Sequence, residues 1–306
     1  MMTMKKLVTG IALMAALGGF TAATGAEEGH DDLASKATHA IAGGHFPILK
    51  PHEETWSFAG PFGKYDKGQL QRGLKIYKEV CSACHSMSLV SFRTLEGLGY
   101  SEDQVKAFAA EYEVQDGPNA DGEMFTRKAV PSDHFPSPYP NKEAAAASNG
   151  GAAPPDMSLL AKARGVERGF PQFIIDMIPI VGGYQEGGPD YIHALLTGYQ
   201  EPPAGIKNPD GTDYKVPEGT HFNPYFASAT SLKMAPPISN DQVTYDDGTP
   251  QTLEQYSRDI SAFLMWAAEP HLEQRKRTGF MVMIFLFIFT VLIYLTKKSV
   301  YSRKEH

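Results

Sequence analysis

Residues 80–87 read VCSACHSM and hold both cysteines of the chain, three apart, with His85 directly after the second. Three chemistries use a Cys-x-x-Cys pair: a redox dithiol, half of a zinc site, or a structural disulfide. Zinc needs about four protein ligands in a closed site, and the sequence has no second cysteine pair. A thioredoxin-like dithiol calls for a βαβ setting, which the surroundings of Val80 lack. His85 decides the matter, because Cys-x-x-Cys-His is the attachment motif of c-type haem. Two thiols on one side of a helical turn can each add to a haem vinyl group, and the next imidazole reaches the iron from below. The expected cofactor is one covalently bound haem c on Cys81 and Cys84, with His85 as an axial ligand.

A second axial ligand must come from farther along the chain, and the thioether candidates are Met87, Met124, Met157, Met177, Met234 and Met265. Met87 is too near His85 to reach the opposite face of the ring. Met265 falls within an apolar helical stretch, and Met157 and Met177 lie on short apolar segments, so packing is their default role. Met234 differs. The segment SLKMAPPI places it in irregular chain just before Pro236 and Pro237, which stiffen the backbone that must hold a weak thioether at the iron. His193 and His221 are the imidazole alternatives. His/Met ligation raises the potential of the haem and suits an electron carrier, whereas an open sixth position would suit a peroxidase-like enzyme.

The elements that position these groups are mostly helical. Asp66 is a ready N-cap for a helix over DKGQLQRGLKIYKEV, where Leu70, Leu74 and Tyr77 recur at helical intervals and deliver Cys81. PPDMSLLAKARG and PDYIHALLTGY read as short helices. Thr252 and Gln255 have capping-box spacing ahead of LEQYSRDISAFLMWAAEP, whose apolar stripe is Leu253, Tyr256, Ile260, Phe263 and Ala267. Residues 115–155 and 198–250 are dense in Pro, Gly, Asn and Asp, which predicts long loops. A bound haem supplies the core that such loops wrap. Residues 27–54 show no apolar period and read as a loose N-terminal arm.

The chain ends bear on location. Residues 1–26 carry two lysines, an apolar run and small residues ending at Ala26, the layout of a secretory signal peptide of a bacterial exported protein. Residues 278–296 contain no charge and are long enough to span the roughly 30 Å of bilayer hydrocarbon as a helix. The expectation is a haem domain over 55–274 in the periplasm, a single-pass anchor in the inner membrane, and a cytoplasmic tail over 297–306. With +2 in residues 1–26 and +6 in 275–306 set against the chain's −7, the exported body carries −15. Such a body repels nucleic acid and steers basic proteins toward itself in a salt-dependent way.

Taken in order, VCSACHSM, VQDGPNADGEMF, NGGAAPPDMS, AKARG, DYIHALLTGY, EPP, FNPYF, MAPPI, DDGTPQTLEQYSRDISAFLMWAAEP and QRKRTG make the chain resemble the cytochrome c1 family over about residues 55–300. Members of that family are the haem c subunit of the cytochrome bc1, or ubiquinol–cytochrome c reductase, complex. The resemblance implies a class I type cytochrome c domain with long loops. It implies Cys81 and Cys84 as haem attachment points, His85 and Met234 as axial ligands, and Arg164 as partner of a haem propionate. It also implies that Asn149, Pro154, Pro155 and Tyr191 line the haem pocket. The task implied is electron transfer in a respiratory or photosynthetic chain. The haem accepts one electron from a Rieske [2Fe-2S] protein and passes it to a soluble or tethered cytochrome c, with cytochrome b beside the anchor. No substrate bond is made or broken on the subunit itself. Two departures stand out. Twenty-six residues separate Arg164 from Tyr191, where mitochondrial members are much shorter, and the disulfide that some bacterial members carry near the methionine loop is impossible here. A free-standing membrane-anchored cytochrome c would share signal, haem and anchor but lack a stable cytochrome b partner.

Overall fold

The computed structural model describes residues 30–164 and 187–302. Two helices, α2 (Lys67–Glu79) and α7 (Leu253–Ala268), cross at the centre of the haem-motif domain. Helix α2 starts where the Asp66 carboxylate accepts from the N–H groups of Gly68 and Gln69 at 2.9 and 3.2 Å, satisfying donors that the first turn leaves without partners. Its buried face is Leu70, Gly73, Leu74, Ile76 and Tyr77. Gly73 allows the close crossing, since a Cβ there would lie 2.3 Å from Asp259 O and 2.5 Å from Phe263 Cβ.

Thr252 caps α7 by accepting from the Gln255 N–H at 3.2 Å. The other half of the expected capping box is spent elsewhere: the Gln255 amide donates to Asp259 Oδ1 at 2.8 Å. Asp259 is fully buried and also takes Tyr245 Oη at 2.8 Å and a two-toothed contact from Arg72 at 2.8 and 3.2 Å. A buried carboxylate is tolerable only when its lone pairs are matched in this way.

On the crossing pack α5 (Leu160–Ala163) and α6 (Gly187–Thr197), both against α7; α3 (Glu102–Ala109) lies against the 92–98 segment that touches α2, and α4 (Lys142–Ser148) lies in the loop-rich middle. Tyr77, Phe92, Phe108, Tyr112 and Phe135 form one aromatic cluster with ring centroids 4.5–6.1 Å apart. Among the described residues, sheet is confined to two antiparallel hairpins, β1 (Glu113–Asp116) with β2 (Phe125–Lys128), and β3 (His221–Phe222) with β4 (Ser231–Leu232). The helical reading is borne out, as is the loop-rich middle.

The arm corrects an expectation. Within residues 27–54, His30–Gly43 is a helix, α1, rather than loose chain. Its buried face is Leu33, Ala34, Ala37 and Ala40, and it packs on Ile206 and Phe222. The Lys207 N–H donates to Thr38 Oγ1 at 3.1 Å. An alanine stripe is too weakly apolar to show as a period, yet it lets the helix lie close against its neighbour.

From Leu272 the chain continues as α8 (Leu272–Ser302), 31 residues long and exposed along its length apart from the buried Leu272 and the half-buried Lys276. At 1.5 Å per residue it reaches about 46 Å, enough to cross a bilayer. Residues 1–26, most of the 166–188 insert with Met177, and the last residues of the tail lie outside the described residues.

Candidate functional site

Helix α2 runs straight into the cysteine motif. Val80 N–H closes the helix on Ile76 O at 2.9 Å, and Cys81–Ala83 follow as a 3₁₀ turn in which Cys84 and His85 N–H both donate to Cys81 O, at 3.1 and 2.9 Å. The rigid helix therefore sets where both thiols and the imidazole stand. Both cysteines are free thiols, Cys81 half-buried and Cys84 exposed. Burial against the core, with Cys84 adding its own charge, pushes the Cys81 thiol up to about 12.

His85 is buried, and its Nδ1 lies 2.8 Å from Pro155 O. A carbonyl can only accept, so Nδ1 carries the proton and Nε2 keeps the lone pair that a metal needs. Burial lowers the imidazole pKa, opposed by the Pro155 carbonyl and the Asp156 charge, which favours the neutral ligating form. Tyr77 Oη steadies the same residue from behind by donating to His85 O at 3.2 Å.

Pro155 is itself held. Asp156 Oδ2 accepts from Ser86 Oγ, Ser88 N and Ser88 Oγ, each at 2.8 Å, and Oδ1 accepts from Ser158 N at 2.8 Å. Burial raises the pKa of this carboxyl, but the hydrogen bonds from Ser158, Ser88 and Ser86 outweigh it and bring it down to about 2. Sequence reading missed Asp156. The available signal was PPDMS, where an Asp two residues before a backbone donor makes an Asx turn.

The other end of this loop leads to Met234. Asn149 closes α4, donating its amide to Ala145 O at 2.7 Å and Tyr139 Oη at 3.1 Å. One residue on, Gly150 O accepts from the Lys233 ammonium. Met234 is half-buried, and its carbonyl accepts from Tyr199 Oη at 3.1 Å. The 149–156 loop thus links the segment before Met234 at one end to His85 at the other. Tyr199 and Lys233 brace a methionine loop that no disulfide can stiffen, and neither carried a sequence signal.

The remaining candidates fall as follows. Pro154 is half-buried and Pro155 exposed beside His85. Tyr191 is buried on α6, its Oη accepting from Ala227 N at 3.3 Å. Arg164 is exposed at the end of α5, close enough for its charge to act on the Tyr191 phenol. The fold packs α5 against α6, which follow one another across the insert. Gly188 permits the contact, since a Cβ there would lie 1.6 Å from Ala161 O.

Both nitrogens of His193 are engaged, Nδ1 with Ser257 Oγ at 2.8 Å and Nε2 with Glu254 Oε1 at 3.2 Å. This is the packed histidine of an ordinary helix interface. His221 lies in β3 and lines an open cleft of about 460 Å³ with Tyr199, Phe222 and Pro236. Met157 and Met265 are buried packing residues and Met87 is fully buried. Among the described residues no cluster of three His, Cys, Asp or Glu side chains has metal-site geometry.

These donors fit a covalent haem c. Two free thiols stand at the attachment spacing on a rigid turn, and the imidazole after them has the ligating tautomer. A braced half-buried thioether stands at the far end of the connecting loop.

Comparison with known proteins agrees. The model of the Cytochrome C1 family matches residues 56–304. A protein described as cytochrome b/c1 from Bradyrhizobium diazoefficiens is 55% identical over 256 residues, 83% of this chain and 36% of that protein. The chain therefore spans about a third of that relative's length. Cytochrome c1 of Rhodospirillum rubrum is 43% identical, covering 83% of this chain and 89% of the relative. Cytochrome c1 of Blastochloris viridis is 46% identical, covering 81% and 85%. With nearly its whole haem-motif domain and C-terminal helix matched, the chain belongs to the cytochrome c1 family, the haem-bearing electron-transport subunit of bc1 complexes.

Proposed function

We propose that this chain relays single electrons through one haem c, joined by thioethers to Cys81 and Cys84 and ligated by His85 and Met234. The observation that carries this reading is the 149–156 loop, which fastens His85 through Pro155 O and the Met234 segment through Gly150 O. One loop then sets the spacing of both ligands, and a ligand set that does not rearrange on reduction suits fast electron transfer.

When bound, the haem supplies a one-electron couple whose potential His/Met ligation raises. The chain's own residues do the rest. Pro155 O fixes the His85 tautomer, and Tyr199 and Lys233 hold the methionine segment. Arg164, exposed at the end of α5, is the cation proposed for a propionate, since a guanidinium is the best planar match to a carboxylate. Asn149, Pro154, Pro155 and Tyr191 are the proposed pocket wall.

The electron is proposed to come from a Rieske [2Fe-2S] protein and to leave to a cytochrome c, with the domain in the periplasm of a bacterial cell and cytochrome b beside α8. Rieske centres reach about +300 mV, within range of a His/Met haem. The acidic body favours a basic acceptor.

The test is Met234→Leu in the haem-loaded chain. The expected result is loss of the low-spin ferric spectrum and a fall in midpoint potential, with the thioether haem still covalently attached. An unchanged spectrum would assign the sixth position to another residue. Gentle detergent extraction with stoichiometric b-type haem and a [2Fe-2S] signal is expected alongside. Haem c alone, under conditions that preserve a known bc1 complex, would favour a free-standing carrier.

A further inference from the structure

Residues 57–65 form a tight loop at the joint between α7 and α8. Ala59 N–H donates to Trp56 O at 3.1 Å and Lys64 N–H to Ser57 O at 2.9 Å. The loop is fastened to the joint at several points. Tyr65 N–H donates to Glu273 Oε1 at 3.0 Å, and Tyr65 Oη reaches the carbonyls of Met265 and Glu269 at 3.3 and 3.2 Å. Lys276 Nζ donates to Phe58 O at 2.5 Å. On the inner side, Phe58 is buried between Trp56 and Tyr65.

At the outer tip stands Phe62, 73% exposed, with its ring 5.7 Å from that of Phe280 and nearly perpendicular to it. A single exposed aromatic residue is unremarkable by itself. Its neighbour gives this one meaning. Phe280 is the third residue of the uncharged run 278–296, on the membrane side of Arg277. Rings with centroids 5.7 Å apart differ in depth by no more than that, so a bilayer that takes in the apolar run around Phe280 reaches Phe62. Lys64 and Arg277, both exposed, follow on the domain side, in the order of an interfacial anchor with apolar tip and basic collar.

The geometry points to the 60–63 tip as a second membrane contact, with Phe62 in the acyl boundary of the bilayer and Lys64 beside Arg277 at the level of the lipid phosphates. The occupant is lipid because the tip continues the lipid-facing surface of α8 in both polarity and depth. This inference rests on the reading of α8 as a membrane span. One helix leaves the domain free to rotate and tilt about its axis. A wedge set off that axis removes this freedom and fixes the height and facing of the Cys81–His85 turn above the membrane.

The test places the photoreactive benzoyl-phenylalanine at position 62 or, separately, at position 287 of the full chain in native membranes. Both side chains are exposed, at 73% and 72%, so neither replacement disturbs the core. The expected result is a lipid adduct at both positions, identified by mass after digestion. Lipid adducts at 287 with only a protein adduct at 62 would assign the tip to a partner subunit and overturn the proposal. Lipid adducts at 287 with none of any kind at 62 would place the tip in water and overturn it as well. Failure at 287 too would overturn the reading of α8 itself, and the wedge with it.

Discussion

Replacing Gly73 with alanine tests whether the α2–α7 crossing holds the haem-motif domain together. The added Cβ would meet Asp259 O at 2.3 Å, Phe263 Cβ at 2.5 Å and Asp259 C at 3.0 Å, against the 3.4 Å of ordinary contact. The deficit is about 1 Å against atoms of the α7 backbone and a Cβ, neither of which can rotate aside, in a core packed like an organic crystal. Overpacking of this kind costs about 3 kcal/mol at the upper end of its usual range. Alanine returns about 1 kcal/mol through its helix propensity. The net loss expected is about 2 kcal/mol, or about 4–8 °C in Tm for a domain of this size. The assay is thermal unfolding of the full chain in detergent, followed by the fluorescence of the buried Trp56 and Trp266. Gly68→Ala is the control on the same helix, where the new Cβ would meet only a side-chain oxygen at 3.4 Å and a guanidinium nitrogen at 3.8 Å. It should be neutral or slightly stabilising. Equal Tm values for the two variants would refute the close crossing.

Arg72→Met should cost about 3–5 kcal/mol, because it leaves the fully buried Asp259 carboxylate without its cation; denaturant titration of the full chain checks this. Asp156→Asn should change acid stability. The carboxyl is held at about 2 against the ordinary 3.8 of an aspartate, so its contribution is present above pH 4 and is lost as pH falls toward 2. After discounting for solvent screening the amount is about 1–2 kcal/mol. Unfolding measured from pH 6 to pH 2 should show that component in the parent and lack it in the variant.

How much of the site was legible depends on how far apart its parts lie in the chain. Cys81, Cys84 and His85 are contiguous, so their chemistry is written in five residues, and the helix that carries them announces itself by Asp66, Leu70, Leu74 and Tyr77. Met234 stood out because prolines follow it. The capping box at Thr252 was only half right, since the Gln255 side chain turns to donate its amide N–H to a buried carboxylate of its own helix instead of accepting from the Thr252 N–H. Helix α1 was missed because alanines carry too little hydrophobic contrast to mark a face.

The sequence alone determined the Cys-x-x-Cys-His motif, the apolar span and the two central helices, because each is encoded in local spacing or local period. Only the tertiary structure decided that Pro155 O selects the tautomer of His85, that Lys233 ties the methionine segment to the loop after α4, and that α5 packs on α6 across the insert. It also placed Phe62 against Phe280, 218 positions apart in the chain. The reason is physical. A hydrogen bond or ring contact between distant residues depends on the path of every loop between them, and no pattern within either segment records that path.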